Sequence, residues 1–237
     1  MRWDADGPTT WAPSTYGTAL ADVYDRWYPA RGDEEQVVDL LRRHQPPPPR
    51  APRLLELGVG TGRLAIPLAN SGWLVTGLDA APAMLELLER KSGAAGVTVG
   101  AFEGDAAELP VDRLTGAGGD PFDVVLAAFN FVLNLPDDDA LERCLRGAAQ
   151  VVGAGGVLVV ETQLLAPDPA GPVVWIERAA RRWPVRRLTL DELDDAAGRT
   201  GWMVRDRWLD WAGVRFDPVS STSHVTVYGL DPLLTPT

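Results

Sequence analysis

The spacing of apolar and polar positions changes along the chain, and each change marks an element. Residues 1–14 are polar and proline-interrupted, with Trp3 and Trp11 isolated, and are expected to form a mobile tail. The chain then turns aromatic, with Tyr16, Tyr24, Trp27 and Tyr28 ahead of Pro29. A short helix is expected over 16–29, its rings either packing on the body or closing over a ligand. Val37, Val38, Leu40 and Leu41 give one apolar face to a helix predicted over 33–44, and the prolines of 46–49 end it as a stiff spacer. From residue 53 onward, short apolar runs alternate with helical patterns. The runs at 53–57, 73–78, 97–102, 122–128 and 157–161 predict strands, with helices over 64–71, 81–91 and 137–152. Such alternation predicts an α/β fold, a mainly parallel sheet with helices on both faces. Thr189 and Glu192 have capping-box spacing for a helix reaching about Arg199. Two last apolar runs, 203–211 and 223–230, flank a loop containing Gly213 and Pro218 and predict an antiparallel end to the sheet. Residues 1–52 are thus expected to form a tail, an aromatic lid and a helix, and 53–237 the core.

Composition narrows the classes of function. A chain of 237 residues with 46% hydrophobic and 23% charged residues has the make-up of a globular protein. Its formal charge of -11 opposes nucleic-acid binding, which needs clustered cations. The arginines of 178–187 are interleaved with apolar residues and read as an edge strand. No apolar run reaches membrane length and no signal-like segment leads the chain, so a cytoplasmic protein without a membrane partner is expected. Cys144 is the only cysteine, which excludes an internal disulfide, and its neighbours Leu141, Leu145 and Ala148 predict a buried helix position. With His44 and His224 as the only histidines, no metal site is expected.

The chemistry gathers where strands end. In the run Glu56-Leu57-Gly58-Val59-Gly60-Thr61-Gly62-Arg63, the glycines Gly58, Gly60 and Gly62 fall where the first strand turns into a helix. They allow close backbone approach to a ligand, although dinucleotide folds use a related turn and a bare tight turn has the same spacing. Glu56 at the strand mouth would compensate positive charge and repel a pyrophosphate. Asp79 ends the second strand, where its carboxylate can accept from two ribose hydroxyls, a nicotinamide cofactor's among them, or stand as an exposed turn residue. Gly104-Asp105-Ala106 follows the third strand. Asp105 can accept from an adenine amino group or cap a turn, and Ala106 can offer its N–H to the ring. Ala80 and Met84 can border the adenine, Met84 being equally suited to the core. Phe129-Asn130-Phe131 lies at the carboxyl edge of the fourth strand, where open parallel sheets bind ligands. There Asn130 either holds an amine or an acceptor, or shapes the turn.

Together these motifs resemble those of class I S-adenosylmethionine-dependent methyltransferases. Residues 54–62 match that family's first motif, Asp79 its ribose-binding acid, Gly104-Asp105-Ala106 its adenine loop, and the last two apolar runs its reversed seventh strand. The resemblance covers roughly 16–230. It implies a Rossmann-like, seven-stranded sheet with an antiparallel last strand, and S-adenosyl-L-methionine as cofactor with S-adenosyl-L-homocysteine as product. Segments 127–135 and 205–228 resemble small-molecule methyltransferases of bacterial biosynthetic pathways, among them sugar N-methyltransferases. The resemblance implies that Tyr16 and Tyr24 close over the cofactor, and that Tyr28 and Trp27 face the acceptor. One departure is evident. Where those relatives insert an antiparallel platform after the fifth strand, 162–188 has room only for a reduced cap with edge strands at 173–177 and 183–188.

Methyl transfer needs the nucleophile, methyl carbon and sulfur in line, and no protein nucleophile. The expected reaction is transfer to a nitrogen or oxygen of a small-molecule acceptor. His224 is a candidate base if its strand end faces the pocket, and otherwise an ordinary sheet residue near the surface. Tyr28, Asp217 and Glu161 are weaker candidates. A non-methylating rearrangement or decarboxylation is the alternative chemistry, and a non-catalytic partner protein a third reading. A homodimer is compatible with the sequence.

Overall fold

Along each central strand, neighbouring side chains bury on opposite faces of one sheet. Leu54 and Leu55 of the first strand go to different cores, as do Val124 and Val125, and Val159 and Val160. Strands covered on both sides need unbroken apolar runs, which explains why these segments lack polar alternation. The computed structural model describes residues 11–44, 50–115, 120–165 and 173–231. The opening residues 1–10 and the prolines of 46–49 lie outside the described residues.

In chain order the elements are α1 (Thr15–Leu20), α2 (Tyr24–Trp27), α3 (Glu34–Arg42), β1 (Arg53–Leu57), α4 (Ala65–Asn70), β2 (Leu74–Asp79) and α5 (Pro82–Ala95). There follow β3 (Gly100–Glu103), α6 (Val111–Thr115), β4 (Phe122–Ala127), α7 (Asp138–Val151) and β5 (Val152–Gln163). The chain continues through β6 (Val173–Arg178), β7 (Arg181–Arg186), α8 (Leu190–Arg199), β8 (Trp202–Trp208) and β9 (Ser223–Leu230). The seven-stranded sheet runs β3-β2-β1-β4-β5-β9-β8, with β9 antiparallel to both β5 and β8 and the other pairs parallel. α7 and α8 cover one face through Leu141, Cys144, Leu145, Leu193 and Ala197. α3 and α4 cover the other through Val37, Leu41, Ala65 and Leu68. Cys144 is buried, and desolvation pushes its thiol up to about 12, so it is an unreactive core residue.

Several boundaries differ from those the pattern predicts, each for a local reason. α5 runs on to Ala95 because Gly96, at φ 71°, closes the helix in the left-handed region. β3 begins only at Gly100, since this edge strand pairs solely with Thr76–Asp79 of β2. β5 starts at Val152, which pairs with Phe122 before a register shift carries the glycine-rich stretch around a bulge. The aromatic segment forms two short helices rather than one. β8 ends at Trp208 instead of continuing to Trp211. The reduced cap is a separate hairpin, β6–β7, whose turn residues Ala179 and Ala180 both have positive φ. That turn lacks the Asn-Gly signal by which such hairpins are recognised.

Two packing features set the stability of the far edge. Trp202 is 2% exposed and its indole N–H donates to the Leu145 carbonyl at 2.9 Å, joining β8 to α7. Thr189 and Glu192 form the full capping box at the start of α8. Urea unfolding should therefore show Trp202→Ala destabilised by about 3–5 kcal/mol. Thr189→Ala should lose only about 1 kcal/mol. Equal losses in the two variants would contradict this assignment.

Candidate active site

β1 and β4 lie side by side while the chain leaves them in opposite directions, the place where open α/β sheets form a crevice. The turn after β1 fills one wall of that crevice. Gly58 has φ 66°, and a Cβ there would stand 2.3 Å from the Phe131 ring. Gly62 has φ 83°, and a Cβ there would meet Leu88 at 2.4 Å, so α4 reaches α5 only because this position is bare. Gly60 differs. The space a Cβ would fill holds nothing nearer than the Gly58 carbonyl at 3.9 Å, which leaves the backbone open to the cleft.

Asp79 fixes this turn. Its Oδ2 accepts from Gly60 N at 2.9 Å and its Oδ1 from Ala81 N at 2.9 Å. Burial pushes its carboxyl above the usual range, opposed by these backbone donors. Asp79, Ala80, Met84, Gly104, Asp105 and Ala106 all line the cleft. Asp105 is also a turn cap, its Oδ1 accepting from Ala107 N at 2.9 Å. Met84 is 1% exposed and serves wall and core at once.

The opposite wall comes from the end of β4. Phe129 and Asn130 hold φ of 55° and 64°, strained for residues with side chains. Glu161 of β5 enforces the bend: its carboxylate accepts from Phe129 N and its carbonyl from Asn130 N at 3.2 Å. The Phe129 ring, on the cleft wall, lies under the guanidinium groups of Arg31 at 4.3 Å and Arg63 at 4.7 Å. Asn130 is not on the wall. Its Oδ1 accepts from Gln163 N at 2.7 Å, so it shapes the turn and ties β4 to β5.

The lid closes the front. Tyr16, Gly17 and Tyr24 face the cleft. Gly17 lets α1 touch α5, since a Cβ there would stand 2.4 Å from that of Ala81. Asp25 latches α2 onto the glycine turn, accepting from Thr61 Oγ1 at 2.6 Å and pairing with Lys91 Nζ at 2.9 Å. Burial, reinforced by neighbouring Tyr24 and Tyr28, pushes the Tyr16 hydroxyl far up. The Tyr24 hydroxyl is likewise raised by burial and lies within electrostatic reach of Arg63, Glu56 and Asp79.

Three candidate catalytic side chains stand elsewhere. His224, on β9 between β5 and β8, packs on one face of the sheet, fully buried rather than near the surface, with Nδ1 2.8 Å from Thr226 Oγ1. Desolvation lowers it to about 4, and it does not border the cleft. Asp217 is exposed in a loop turn, accepting from Val219 N at 2.8 Å, and is also off the wall. Tyr28 packs behind Tyr24 with ring centroids 5.1 Å apart and contributes to the aromatic cluster, not to the cleft surface. The hydrophobic pattern missed Trp11, whose indole N–H donates to the Asn134 carbonyl at 3.1 Å and which lines the cleft. An isolated tryptophan among polar residues was the only signal for it.

Glu56 and Arg63 flank the glycine turn; neither lines the cleft surface drawn by the residues above, but both lie within electrostatic reach of Tyr24, which does. Glu56 is 5% exposed, and its Oε2 has no partner among the described residues; Arg63 Nη2 likewise has none, while Nη1 pairs with Asp33 at 2.9 Å. Burial pushes the Glu56 carboxyl up to about 8, with Arg63 pulling it down and Asp79 pushing it up. A buried carboxyl and a buried guanidinium, each with an unspent polar atom, suit a cofactor ending in an ammonium and a carboxylate. The residues present therefore fit S-adenosylmethionine: Asp79 for the ribose, Asp105 and Ala106 for the adenine, and Glu56 and Arg63 for the amino-acid end.

Loss of paired hydroxyl contacts predicts that Asp79→Ala weakens S-adenosylhomocysteine binding by about 100-fold in calorimetry, and unchanged affinity would remove the assignment. Glu56 yields a pH prediction. Without cofactor it holds its proton up to about pH 8. A bound ammonium favours the carboxylate, so binding releases a proton and affinity rises with pH in that range, by up to about tenfold per unit. Calorimetry between about pH 6 and 7.5 should show this slope, and Glu56→Gln should flatten it.

Residues 54–156 match a family model described as a methyltransferase domain. The ubiquinone biosynthesis O-methyltransferase of Azorhizobium caulinodans is 32% identical over 197 residues, covering 77% of this chain and 72% of the relative. That of Methylobacterium nodulans is 30% identical over 233 residues, covering 92% and 81%. The CcbJ methyltransferase of Streptomyces caelestis superposes with a TM-score of 0.75 at 28% identity, covering 93% of this chain and 99% of that one. With this similarity spanning the sheet, the glycine turn and the Asp79 site, the chain belongs to the S-adenosylmethionine-dependent methyltransferases.

Proposed function

We propose that this methyltransferase acts on a nitrogen or oxygen of a small natural-product-type acceptor, by direct in-line attack without a protein base. The observation that carries this reading is the aromatic enclosure of the cleft by Trp11, Tyr16, Tyr24, Phe129 and Phe131. Such an enclosure suits a small, largely apolar molecule better than a folded protein or a nucleic acid. The bound cofactor supplies an electrophilic methyl carbon on a positively charged sulfur. Tyr16 and Tyr24 stay neutral because burial raises both, so they donate or accept hydrogen bonds and orient an acceptor N–H or O–H. Phe129 and the lid exclude water from the same space. Positioning of this kind supplies much of the rate of a transfer whose nucleophile belongs to the acceptor. Relatives named as ubiquinone biosynthesis O-methyltransferases support a small-molecule acceptor.

An aromatic amine and a phenol built on one scaffold separate this mechanism from base catalysis. S-adenosylhomocysteine formation should follow a pH profile that shifts with the acceptor's own ionisation. His224→Gln should leave kcat unchanged, because that ring is buried on the sheet face away from the cleft wall. A profile fixed across acceptors, or loss of kcat in a stably folded His224→Gln, would overturn the reading.

A further inference from the structure

Next to the donor cleft lies a second hollow of about 290 Å³, between the body of the protein and the β6–β7 hairpin. Trp11 and Leu135 line both spaces, so the two are neighbours that share a wall. Leu133 and Leu135 form the inner side, and both are buried. The outer side is the hairpin. Val173 lies opposite Arg186 and Trp175 opposite Pro184, so strand alternation puts all four on one face. Trp183, on the other face, packs into the lid cluster. The hairpin is therefore a partition with the lid on one side and the hollow on the other.

Two features of this hollow have no use in the structure as it stands. Val173 and Trp175 keep 43% and 39% of their surface open to solvent, although both are large and apolar. Arg186 is 7% exposed; Nη2 pairs with Asp138 of α7, and Nη1 has no partner among the described residues. A buried guanidinium N–H without a partner is costly, and a carboxylate is the acceptor that satisfies it best. Asp138 is the facing negative charge, but its side chain is 73% exposed, so solvent screens its repulsion of a second carboxylate. Arg182, 4.3 Å above the Trp175 ring, adds positive charge at the rim.

We propose that this hollow anchors the acceptor and takes an apolar, ring-sized body carrying a carboxylate, which Arg186 binds. The assignment rests on the acceptor being a small molecule, as proposed above, and names its class. Trp175 and Leu133 hold the apolar body, while Arg186 fixes the end remote from the reacting atom. The geometry thereby sets which atom of the acceptor reaches the cleft past Trp11.

Binding of 3-phenylpropionate and of 3-phenylpropanamide to protein saturated with S-adenosylhomocysteine tests this by ligand-observed NMR. The acid should bind at least about tenfold more tightly than the amide, the loss expected when a charged hydrogen bond is removed. Trp175→Ala, at a half-open position, should weaken the acid by about tenfold through lost ring contact. Arg186→Met should abolish the preference for acid over amide and leave S-adenosylhomocysteine affinity unchanged. Should Arg186→Met fail to fold, the wild-type acid-to-amide ratio and Trp175→Ala still decide. Equal binding of acid and amide, undiminished acid binding in Trp175→Ala, or displacement of the acid by S-adenosylhomocysteine would overturn the subsite. Absence of S-adenosylhomocysteine binding would instead strike the donor site, so the two failures are told apart.

Discussion

Asp79 is the hinge on which the cleft turns. One carboxylate oxygen takes the Gly60 N–H from the turn after β1, and the other takes the Ala81 N–H at the start of α5. Two segments that leave different strands are thereby held at one spacing, with the half-buried side chain between them. The arrangement carries a desolvation penalty, visible in the upward push on the Asp79 carboxyl. Glu56, buried nearby, shares that penalty. Acidic groups kept together in a low-dielectric wall are poor neighbours for phosphate and good ones for hydroxyl donors and a cation. The electrostatics of the wall and the geometry of the turn thus select the same kind of ligand.

The second wall is built differently. Phe129 and Asn130 are bent into the left-handed region and held there by Glu161 from β5, with Asn130 reaching back to Gln163. The residues that look most reactive at this edge are occupied in holding the bend. From this bend the Phe129 ring reaches the cleft, beneath two guanidinium groups and beside Phe131. The lid then rests on both walls, latched by Asp25 to Thr61 and Lys91, and packed through Gly17 against Ala81. Donor site, lid and cap hairpin form one continuous packing. Tyr16 touches Tyr24 on one side and Trp183 of β7 on the other.

His224 illustrates where reading from sequence misleads. A histidine near the start of a terminal strand is chemically suited to proton transfer, and alternation along β9 puts it on one of two faces. Which face, and what covers it, depends on β8 and β5 lying on either side. There the ring meets Thr226 and sits beneath Phe216, in a polar cluster that Arg207, Asp194 and Tyr228 complete. Trp11 illustrates the reverse. Nothing local distinguishes it from Trp3, yet it docks on Asn134 and borders both hollows.

The sequence by itself determined the sheet and the donor wall. Apolar runs, a glycine turn, Asp79 at a strand end and the capping box at Thr189 are local signals, because each follows from backbone conformation or from contacts a few residues apart. The tertiary structure alone decided what those signals leave free. It turned Asn130 into a brace, withdrew His224, Asp217 and Tyr28 from the cleft wall, and buried Glu56 beside Arg63 at the turn. It also set the hairpin so that Arg186 borders a hollow shared with Trp11. These outcomes depend on which elements meet across long stretches of chain, and a side chain's burial and partners are properties of that meeting rather than of its own segment.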